Sequence, residues 1–315
     1  MKLLSLRAHA QSPKLNGRGI NHLIHIAFRG KTVWTAIALS CLFTATLPTA
    51  FAESVRTIYY SGAAAPTDKR ADYYLKLLDL ALGKTGTRYE LHPNGLLMSH
   101  QRALSNLNSN DGIDIFWGPT TREMEQRFLP IRIPIDKGIL GWRIFLIKTR
   151  DRHLFEEIHS LKQLQSYTAG QPNAWADTEI LRANGLKVAG TEAYETMFEM
   201  LAADRFQYFP RGVGEVWNEA SGHGNLGLEV EQHLALHYPA NTYFFVNKSN
   251  ATLARIIERG LRAAIGDGSL DKLFEQFYGE SIKRAHLNAR TIVELGNPLL
   301  PDEPPMIRNN EVIYR

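Results

Sequence analysis

Short apolar runs alternate along the chain with stretches in which apolar residues recur every three or four positions. The short runs predict β-strands, and the periodic stretches predict amphipathic helices. The predicted strands or extended segments are 55–60, 88–92, 114–117, 139–148, 166–169, 187–189, 206–209, 226–237 and 243–246. The predicted helices are 73–82, 98–107, 151–158, 160–164, 177–185, 192–203, 213–220, 251–265 and 270–277. Strands that alternate with helices indicate an α/β fold with largely parallel sheets.

The alternation occurs twice, which predicts two α/β units. Two strand-like segments, at about 139–148 and 243–247, are expected to carry the chain between the units. Ligands of open α/β sheets lie beyond the carboxyl ends of the strands. By this rule, the candidate cleft positions are Ser61, 117–121, 170–178 and Arg211.

The amino-terminal region, residues 1–52, has the pattern of a secretory signal peptide. It contains six Lys or Arg and no Asp or Glu, and an apolar run at 33–47 is followed by a segment that ends in Ala50-Phe51-Ala52. Cleavage is therefore predicted after Ala52, with export to the periplasm. A lipoprotein signal would instead cleave before Cys41, the only cysteine of the chain.

Cleavage changes the charge of the protein. Removing six of the 36 basic residues leaves 30 against 32 acidic residues. The 263 residues that remain of 315 then carry about −2, so the basic whole-chain balance gives no support to nucleic-acid binding. A chain of this length can form two lobes, and without cysteine it forms no disulfides.

Three sequence features together resemble periplasmic solute-binding protein family 3. They are Asp114-Ile115 before the turn Thr120-Thr121, the run Leu201-Ala202-Ala203 before Arg205-Phe206, and Phe209-Pro210-Arg211-Gly212. The family includes amino-acid-binding components of bacterial importers. The resemblance implies the two-lobed type 2 periplasmic binding protein fold, in which each lobe is a mostly parallel sheet flanked by helices. It implies lobe 1 at 53–144 and 244–315, and lobe 2 at 145–243.

Two positions depart from the pattern of the amino-acid-binding members. Those proteins carry an Arg three residues after the position of Thr121, where this chain has Met124. They also carry an Asp near the end of the strand predicted at 206–209, where this chain offers Arg211. Both charges expected for a free α-amino acid are missing or inverted, which argues against that ligand.

Arg211 is the most prominent candidate, and two interpretations of it stay open. A guanidinium in a cleft presents a planar set of donors that suits a carboxylate or a phosphate, so Arg211 would bind an anionic ligand. Alternatively, it pairs with Glu215, which lies four residues later on the next predicted helix. Both residues are therefore included in the candidate site.

The aromatic candidates also have structural alternatives. Trp117 and Trp175 are expected either to stack on a ligand or to pack in the core. Tyr60 and Ser61 end the first predicted strand and are expected to line the cleft wall. Trp142 is interpreted as packing at the hinge.

Two predicted helix starts supply the remaining candidates. Thr120 and Thr121 would donate to a ligand oxygen or cap a helix. Asp177 and Thr178 follow a Gly-containing loop, and the backbone N–H groups there would suit an anion. The alternative is that Asp177 itself fills that position as the cap.

The sequence offers no pattern that requires a cofactor or a metal. It lacks a phosphate-binding Gly-Lys-Ser/Thr loop and a Gly-x-Ser-x-Gly elbow. His233 and His237 are four residues apart, but they lie in a stretch predicted to be extended, so no metal site is expected.

The predicted function is that of a secreted, monomeric binding protein. Its lobes are expected to close on a small polar ligand, with an anionic one considered, and to deliver it to an inner-membrane importer. No nucleic-acid partner is expected. The alternatives are an enzyme on the same fold, such as a lyase or a cell-wall hydrolase, and a ligand-sensing partner of a membrane receptor.

Overall fold

The computed structural model describes residues 55–61, 71–94 and 100–301. The strands are β1 Arg56–Tyr60, β2 Tyr89–Pro93, β3 Ile115–Pro119, β4 Leu129–Ile131, β5 Trp142–Lys148, β6 Thr168–Gly170, β7 Lys187–Ala189, β8 Phe209–Gly212, β9 Leu228–Val230, β10 Leu234–His237, β11 Thr242–Val246 and β12 Thr291–Glu294. The helices are α1 Asp72–Gly83, α2 His100–Ser109, α3 Arg122–Arg127, α4 Leu161–Leu164, α5 Ala176–Ala183, α6 Thr196–Ala202, α7 Val216–Gly222, α8 Ala251–Gly266 and α9 Ser269–Ala285. The signal peptide predicted at 1–52 lies outside these residues.

The first sheet has the strand order β2-β1-β3-β11-β4. Strand β1 runs parallel to β2 and β3, whereas β11 runs antiparallel to β3 and β4. Helices α1, α2 and α8 contact strands of this sheet. Strand β11 is buried at all five positions, as expected for an apolar strand inside a sheet.

The second sheet has the order β12-β10-β5-β8, and β9 also pairs with β5. Strand β10 is parallel to β12, but β5 is antiparallel to β8, β9 and β10. The parallel pair β6–β7 forms a separate two-stranded sheet, and an isolated bridge links its Ala169 to Tyr208, the residue before β8. The two-lobed α/β architecture agrees with the prediction, although both sheets are mixed rather than mostly parallel.

The chain passes between the two sheets three times. It leaves the first sheet after β4, returns at β11 and enters the second sheet again at β12. The first two passages are those predicted from the sequence. The third places β12 in the second sheet, although its residues belong to the range predicted for lobe 1. Among the described residues, no helix is long and apolar enough to cross a membrane.

The helix predicted at 151–158 does not form. A 3₁₀ turn at Thr149–Asp151 is followed by further turns, in which Leu154 N–H donates to Asp151 O and Ile158 N–H donates to Phe155 O. These bonds span three residues rather than four, so they do not build an α-helix. Phe155 is fully buried against Phe145 and Tyr208, and this packing overrides the helical pattern.

The strand predicted at 206–209 is shifted toward the carboxyl terminus. Strand β8 begins at Phe209 and contains Pro210, which faces Phe145 of β5. Because β8 is at the edge of its sheet, it tolerates a residue that lacks a backbone N–H. The shift places Arg211 inside the strand instead of in the loop after it.

A close approach between α1 and α8 gives a stability prediction for the first lobe. A Cβ added at Gly260 would lie 1.9 Å from the backbone oxygen of Ala81. Gly260→Ala should therefore force the helices apart and lower the free energy of unfolding by about 1–3 kcal/mol, measured by urea denaturation.

Gly266 is the matched control on the same helix, because a Cβ there meets nothing within 4 Å. Gly266→Ala should leave the stability unchanged or raise it slightly through helix propensity. Equal stabilities for the two alanine variants would contradict the close packing of α1 on α8.

Candidate functional site

The centre of the candidate site is Arg211 in β8, whose side chain is completely buried. Its Nε and Nη2 donate to the two carboxylate oxygens of Glu219 at 2.7 and 2.5 Å. Nη2 also donates to Glu215 Oε2 at 2.9 Å. Glu215 directly precedes α7 and Glu219 lies in its first turn, so the two side chains, four residues apart, lie on one face of the helix.

Aromatic rings enclose the guanidinium of Arg211. Its central carbon lies 4.9 Å from the ring centres of Trp175 and Phe209 and 5.3 Å from that of Tyr194. Trp175 and Tyr194 stack on each other, and the Tyr194 hydroxyl donates to Glu219 Oε1 at 2.6 Å. Arg211 Nη1 is buried and has no hydrogen-bond partner.

The charges of this cluster stabilise one another. Burial alone would lower the pKa of Arg211, but Glu219 and Glu215 outweigh it and raise that pKa well above its usual value. The pKa of Tyr194 is also raised, chiefly by burial and then by Glu219. Arg211 therefore stays charged, and two carboxylates already neutralise it without an anionic ligand.

The structure thus contains the pairing of Arg211 with Glu215 and adds Glu219 as a stronger partner. Trp175 packs against the cation instead of standing free in the cleft, with its side chain half-buried. Contact of Arg211 or Trp175 with a ligand stays a prediction, and Nη1 is the donor atom of Arg211 that has no partner within the described chain.

A second charged network lies beside the first. Arg143 of β5 pairs with Asp177 at 2.7 Å and donates to the Tyr238 hydroxyl at 2.8 Å, and this hydroxyl donates in turn to Asp177. Asp177 is therefore held by an ion pair, and the interpretation of Asp177 as a helix cap is wrong. Helix α5 begins after Trp175, which makes no side-chain capping bond.

The Arg211 cluster and the Arg143–Asp177–Tyr238 network approach each other at Gly212. A Cβ added at this glycine would lie 3.0 Å from Glu215 Oε2 and 3.2 Å from Arg143 Nη1. A side chain here would fill the space in which the two groups converge. The absence of a side chain at Gly212 therefore keeps a charged, polar surface together at this point of the second lobe.

The first lobe contributes an aromatic wall, which we define as Tyr60, Tyr74, Trp117 and Tyr278. The rings of Trp117 and Tyr74 stack with their centres 5.8 Å apart, and the ring centre of Trp117 lies 6.2 Å from that of Tyr60. A Cβ added at Gly214 would lie 2.7 Å from the Tyr278 ring, so this wall meets the second lobe next to Glu215.

Burial raises the pKa values of two tyrosines in the aromatic wall. Burial raises the pKa of Tyr74 well above its usual value, and Tyr278, Asp136 and Glu215 add smaller contributions. Burial likewise raises the pKa of Tyr278, again with smaller contributions from Asp136 and Glu215. Both tyrosines therefore lie within the field of the Glu215 carboxylate.

The hydroxyl candidates have structural partners. Thr120 is buried and donates to Glu125 Oε1 at 2.7 Å, and Thr121 caps α3 by accepting from Met124 N–H at 3.1 Å. Thr178 donates to Pro172 O at 2.8 Å. The capping interpretation of Thr121 agrees with the structure. Ser61 is half-buried and already has a partner.

The two lobes are in contact at the positions expected to form the cleft. A cavity of about 10 Å³ lies between Pro119–Thr121 of the first lobe and Arg143, Asp177 and Tyr238 of the second. This volume is close to the minimum that a single water needs. Asn297 and Leu299 also line the cavity, so the carboxy-terminal segment closes one side of it.

Several residues of the site are not among those predicted from the sequence. The sequence contains an indication for Arg143: it is a charged residue in the apolar run of β5, and a charged residue that is buried must find a partner. The sequence also contains one for Glu219, since this residue lies four residues after Glu215. Tyr238 had no such sequence signal, because it is 61 residues away from its partner Asp177.

Gln171 follows β6 and is fully buried. Its side-chain amide has no hydrogen-bond partner in the described part of the chain.

Metal binding has no support in the described part of the chain. No group of three or more His, Cys, Asp or Glu side chains there could hold a metal ion. His237 binds Glu294 at 2.7 Å, and His233 lies 3.5 Å from Glu156, so the two histidines face different carboxylates.

Comparisons with known proteins show similar folds among solved structures. No protein-family profile and no curated protein matches the sequence. An arginine-specific periplasmic binding protein of Salmonella typhimurium is 14% identical, with a TM-score of 0.53 over 71% of this chain and 100% of that one. An amino acid ABC transporter substrate-binding protein of Streptococcus pneumoniae, bound to L-arginine, is 16% identical, with a TM-score of 0.51 over 72% and 95%.

A third solved structure is an ancestral amino-acid-binding protein, a precursor of cyclohexadienyl dehydratase. It is 15% identical, with a TM-score of 0.50 over 71% of this chain and 95% of that one. Each similarity covers nearly the whole of the other protein, both lobes included. The chain therefore has the two-lobed fold of the periplasmic amino-acid-binding proteins.

Proposed function

We propose that the protein is an exported solute-binding protein whose lobes close on a small polar ligand. The observation that carries the proposal is the Arg211 cluster, a buried cation with one unpartnered nitrogen that pairs with Glu215. Gly214, the residue before Glu215, lies against Tyr278 of the first lobe. Closure requires higher affinity for the closed state, and contacts from both lobes supply it. The charged surface and the aromatic wall are such contacts.

The proposal includes delivery of the ligand to an inner-membrane importer. Its support is the fold shared with substrate-binding proteins of amino acid ABC transporters. Export with cleavage after Ala52, action as a monomer in the periplasm, and the lobes at 53–144 with 244–315 and at 145–243 are parts of the same proposal. Strand β12 is the exception, because we assign it to the second lobe.

An anionic ligand loses its main support. Arg211 faces two carboxylates, and Arg143 is paired with Asp177, so the charged surface carries one negative charge in excess. Met124 is buried at the position where an amino-acid carboxylate would need a cation. We therefore propose a polar ligand that brings no net negative charge.

An enzyme on the same fold is the second candidate. It is supported by the similarity to a precursor of cyclohexadienyl dehydratase and by the partial exposure of Glu215, which could act as an acid or a base. Mass spectrometry of the bound compound after incubation separates the two functions. A compound recovered unchanged supports binding, and its conversion supports catalysis.

A thermal-denaturation screen tests the binding proposal. The chain from residue 53 onward should be screened against amino acids, amino-acid amides, polyamines, dicarboxylates and phosphorylated compounds. A ligand at 100 times its dissociation constant should add about 2.7 kcal/mol to the free energy of unfolding. If no compound in any class raises the melting temperature, the solute-binding proposal fails.

A further inference from the structure

The charged surface of the site, which comprises Arg211, Glu215, Glu219, Arg143 and Asp177, presents a hydrogen-bond donor next to an acceptor. Nη1 and Nη2 form the terminal edge of the Arg211 guanidinium, and Nη2 on that edge binds Glu215 Oε2. Nη1 has no partner although the side chain is fully buried. An unpaired buried donor is costly, so Nη1 calls for an acceptor oxygen from outside the chain.

Glu215 supplies the neighbouring acceptor. Its side chain is 30% exposed, and Arg211 uses only Oε2, which leaves Oε1 for another donor. Glu219, by contrast, binds Arg211 through both oxygens and is nearly buried. Glu215 is therefore the carboxylate of this cluster that a ligand can reach.

The first lobe completes the environment with aromatic rings. Tyr278 approaches the backbone next to Glu215, and Tyr74 stacks on Trp117 nearby. Aromatic faces attract ammonium groups, most strongly where water is excluded. A carboxylate beside aromatic rings, in a cluster with one excess negative charge, favours a cation over a neutral or anionic group.

We infer that the site selects a small organic cation that carries a neutral oxygen and no carboxylate. Its ammonium group binds Glu215 and faces the aromatic wall of the first lobe. Its oxygen accepts a hydrogen bond from Arg211 Nη1. Amino-acid amides and amino alcohols have this chemistry, whereas a free amino acid adds a second carboxylate next to Glu215. This inference rests on the proposed binding function and narrows its ligand class.

Matched pairs of ligands test the inference on the wild-type protein. L-Amino acids and their primary amides, arginine with argininamide and glutamine with glutaminamide among them, should be compared by titration calorimetry. The amides have nearly the same shape but lack the negative charge. We expect the preferred amide to bind on the order of tenfold tighter than its acid or better, because like charges in a desolvated site repel.

Equal or tighter binding of the free acids would overturn the inference and leave the solute-binding function standing. So would binding of dicarboxylates or phosphorylated compounds in place of amines. A complete lack of binding, in these titrations and in the broader screen, would instead overturn the proposed function itself. The two failures are therefore distinguishable.

Glu215→Gln tests the assigned residue. The substitution keeps the shape and an oxygen that accepts from Arg211, but it removes the charge. We expect the preference for the amide over the acid to fall on the order of tenfold. Glu195→Gln removes the same charge from the same lobe at a side chain that is 77% exposed, and it should leave the preference unchanged. An unchanged preference in Glu215→Gln would contradict the inference.

Discussion

Arg211→Met is expected to lower the free energy of unfolding by roughly 3–5 kcal/mol, the cost of breaking a buried ion pair on one side. The variant leaves the Glu219 and Glu215 carboxylates facing each other with no cation between them. Glu219 is only 9% exposed, so water cannot replace the lost partner. Chemical denaturation at pH 7, where both carboxylates are charged in the unfolded chain, measures the effect.

An exposed ion pair provides the control. Arg262 pairs with Glu258 one helical turn away on α8, and both side chains are largely exposed. Arg262→Met should cost less than about 0.5 kcal/mol. If Arg211→Met costs no more than this control, the buried cluster does not stabilise the second lobe. Adding Glu219→Gln to Arg211→Met should recover part of the loss, since it removes one uncompensated charge.

Arg290→Met is expected to have a similar effect, roughly 3–5 kcal/mol, at the other end of the second sheet. Arg290 donates to the backbone oxygens of Ala285, Glu231 and Leu234 and lies 3.4 Å from the Glu231 carboxylate. Both charged side chains are essentially inaccessible to solvent. Loss of Arg290 therefore leaves a buried carboxylate and three carbonyl groups without their cation.

The position of Arg290 gives this prediction a local measurement. Arg290 directly precedes β12, and Glu231 lies just before β10, the strand that pairs with β12. Hydrogen exchange in Thr291–Glu294 and Leu234–His237 should become faster in Arg290→Met. Unchanged exchange in both strands, together with stability equal to that of Arg262→Met, would contradict the role of this pair in holding β12 on the sheet.

The sequence was sufficient for the architecture because its apolar pattern is local. The periods of strands and helices identified most elements to within a few residues, including β1, α1 and β11. The pattern failed at 151–158, where burial of Phe155 decides the conformation, and at Pro210, where position at a sheet edge does. Both outcomes depend on neighbours that are distant along the chain.

The candidate site also contains some contacts that the sequence predicts and others that it does not. The pairing of Arg211 with Glu215 could be stated from a spacing of four residues, because that geometry is local. The Arg143–Asp177–Tyr238 network could not, since it joins three elements of the second lobe through their packing. Charged residues inside apolar strands were the one available sign, and Arg143 and Arg211 both carry it.

Two grooves on the outer face of the second lobe offer a contrasting location for a ligand. We define the outer grooves by the residues that both of them share, Arg152 and His153. Their volumes are about 530 and 710 Å³, far larger than the cavity between the lobes. The larger groove is lined by the second lobe, and the smaller one also includes Arg284 of α9 in the first lobe. Neither groove includes residues 117–122 of the first lobe, so a ligand there would not contact that segment.

Hydrogen exchange with and without the strongest ligand from the thermal screen tests closure of the lobes most directly. The proposed function predicts slower exchange in both lobes at once, at 117–122 in the first and at 171–178 and 209–215 in the second. Protection confined to the second lobe around the outer grooves, with no change at 117–122, would contradict binding between the lobes.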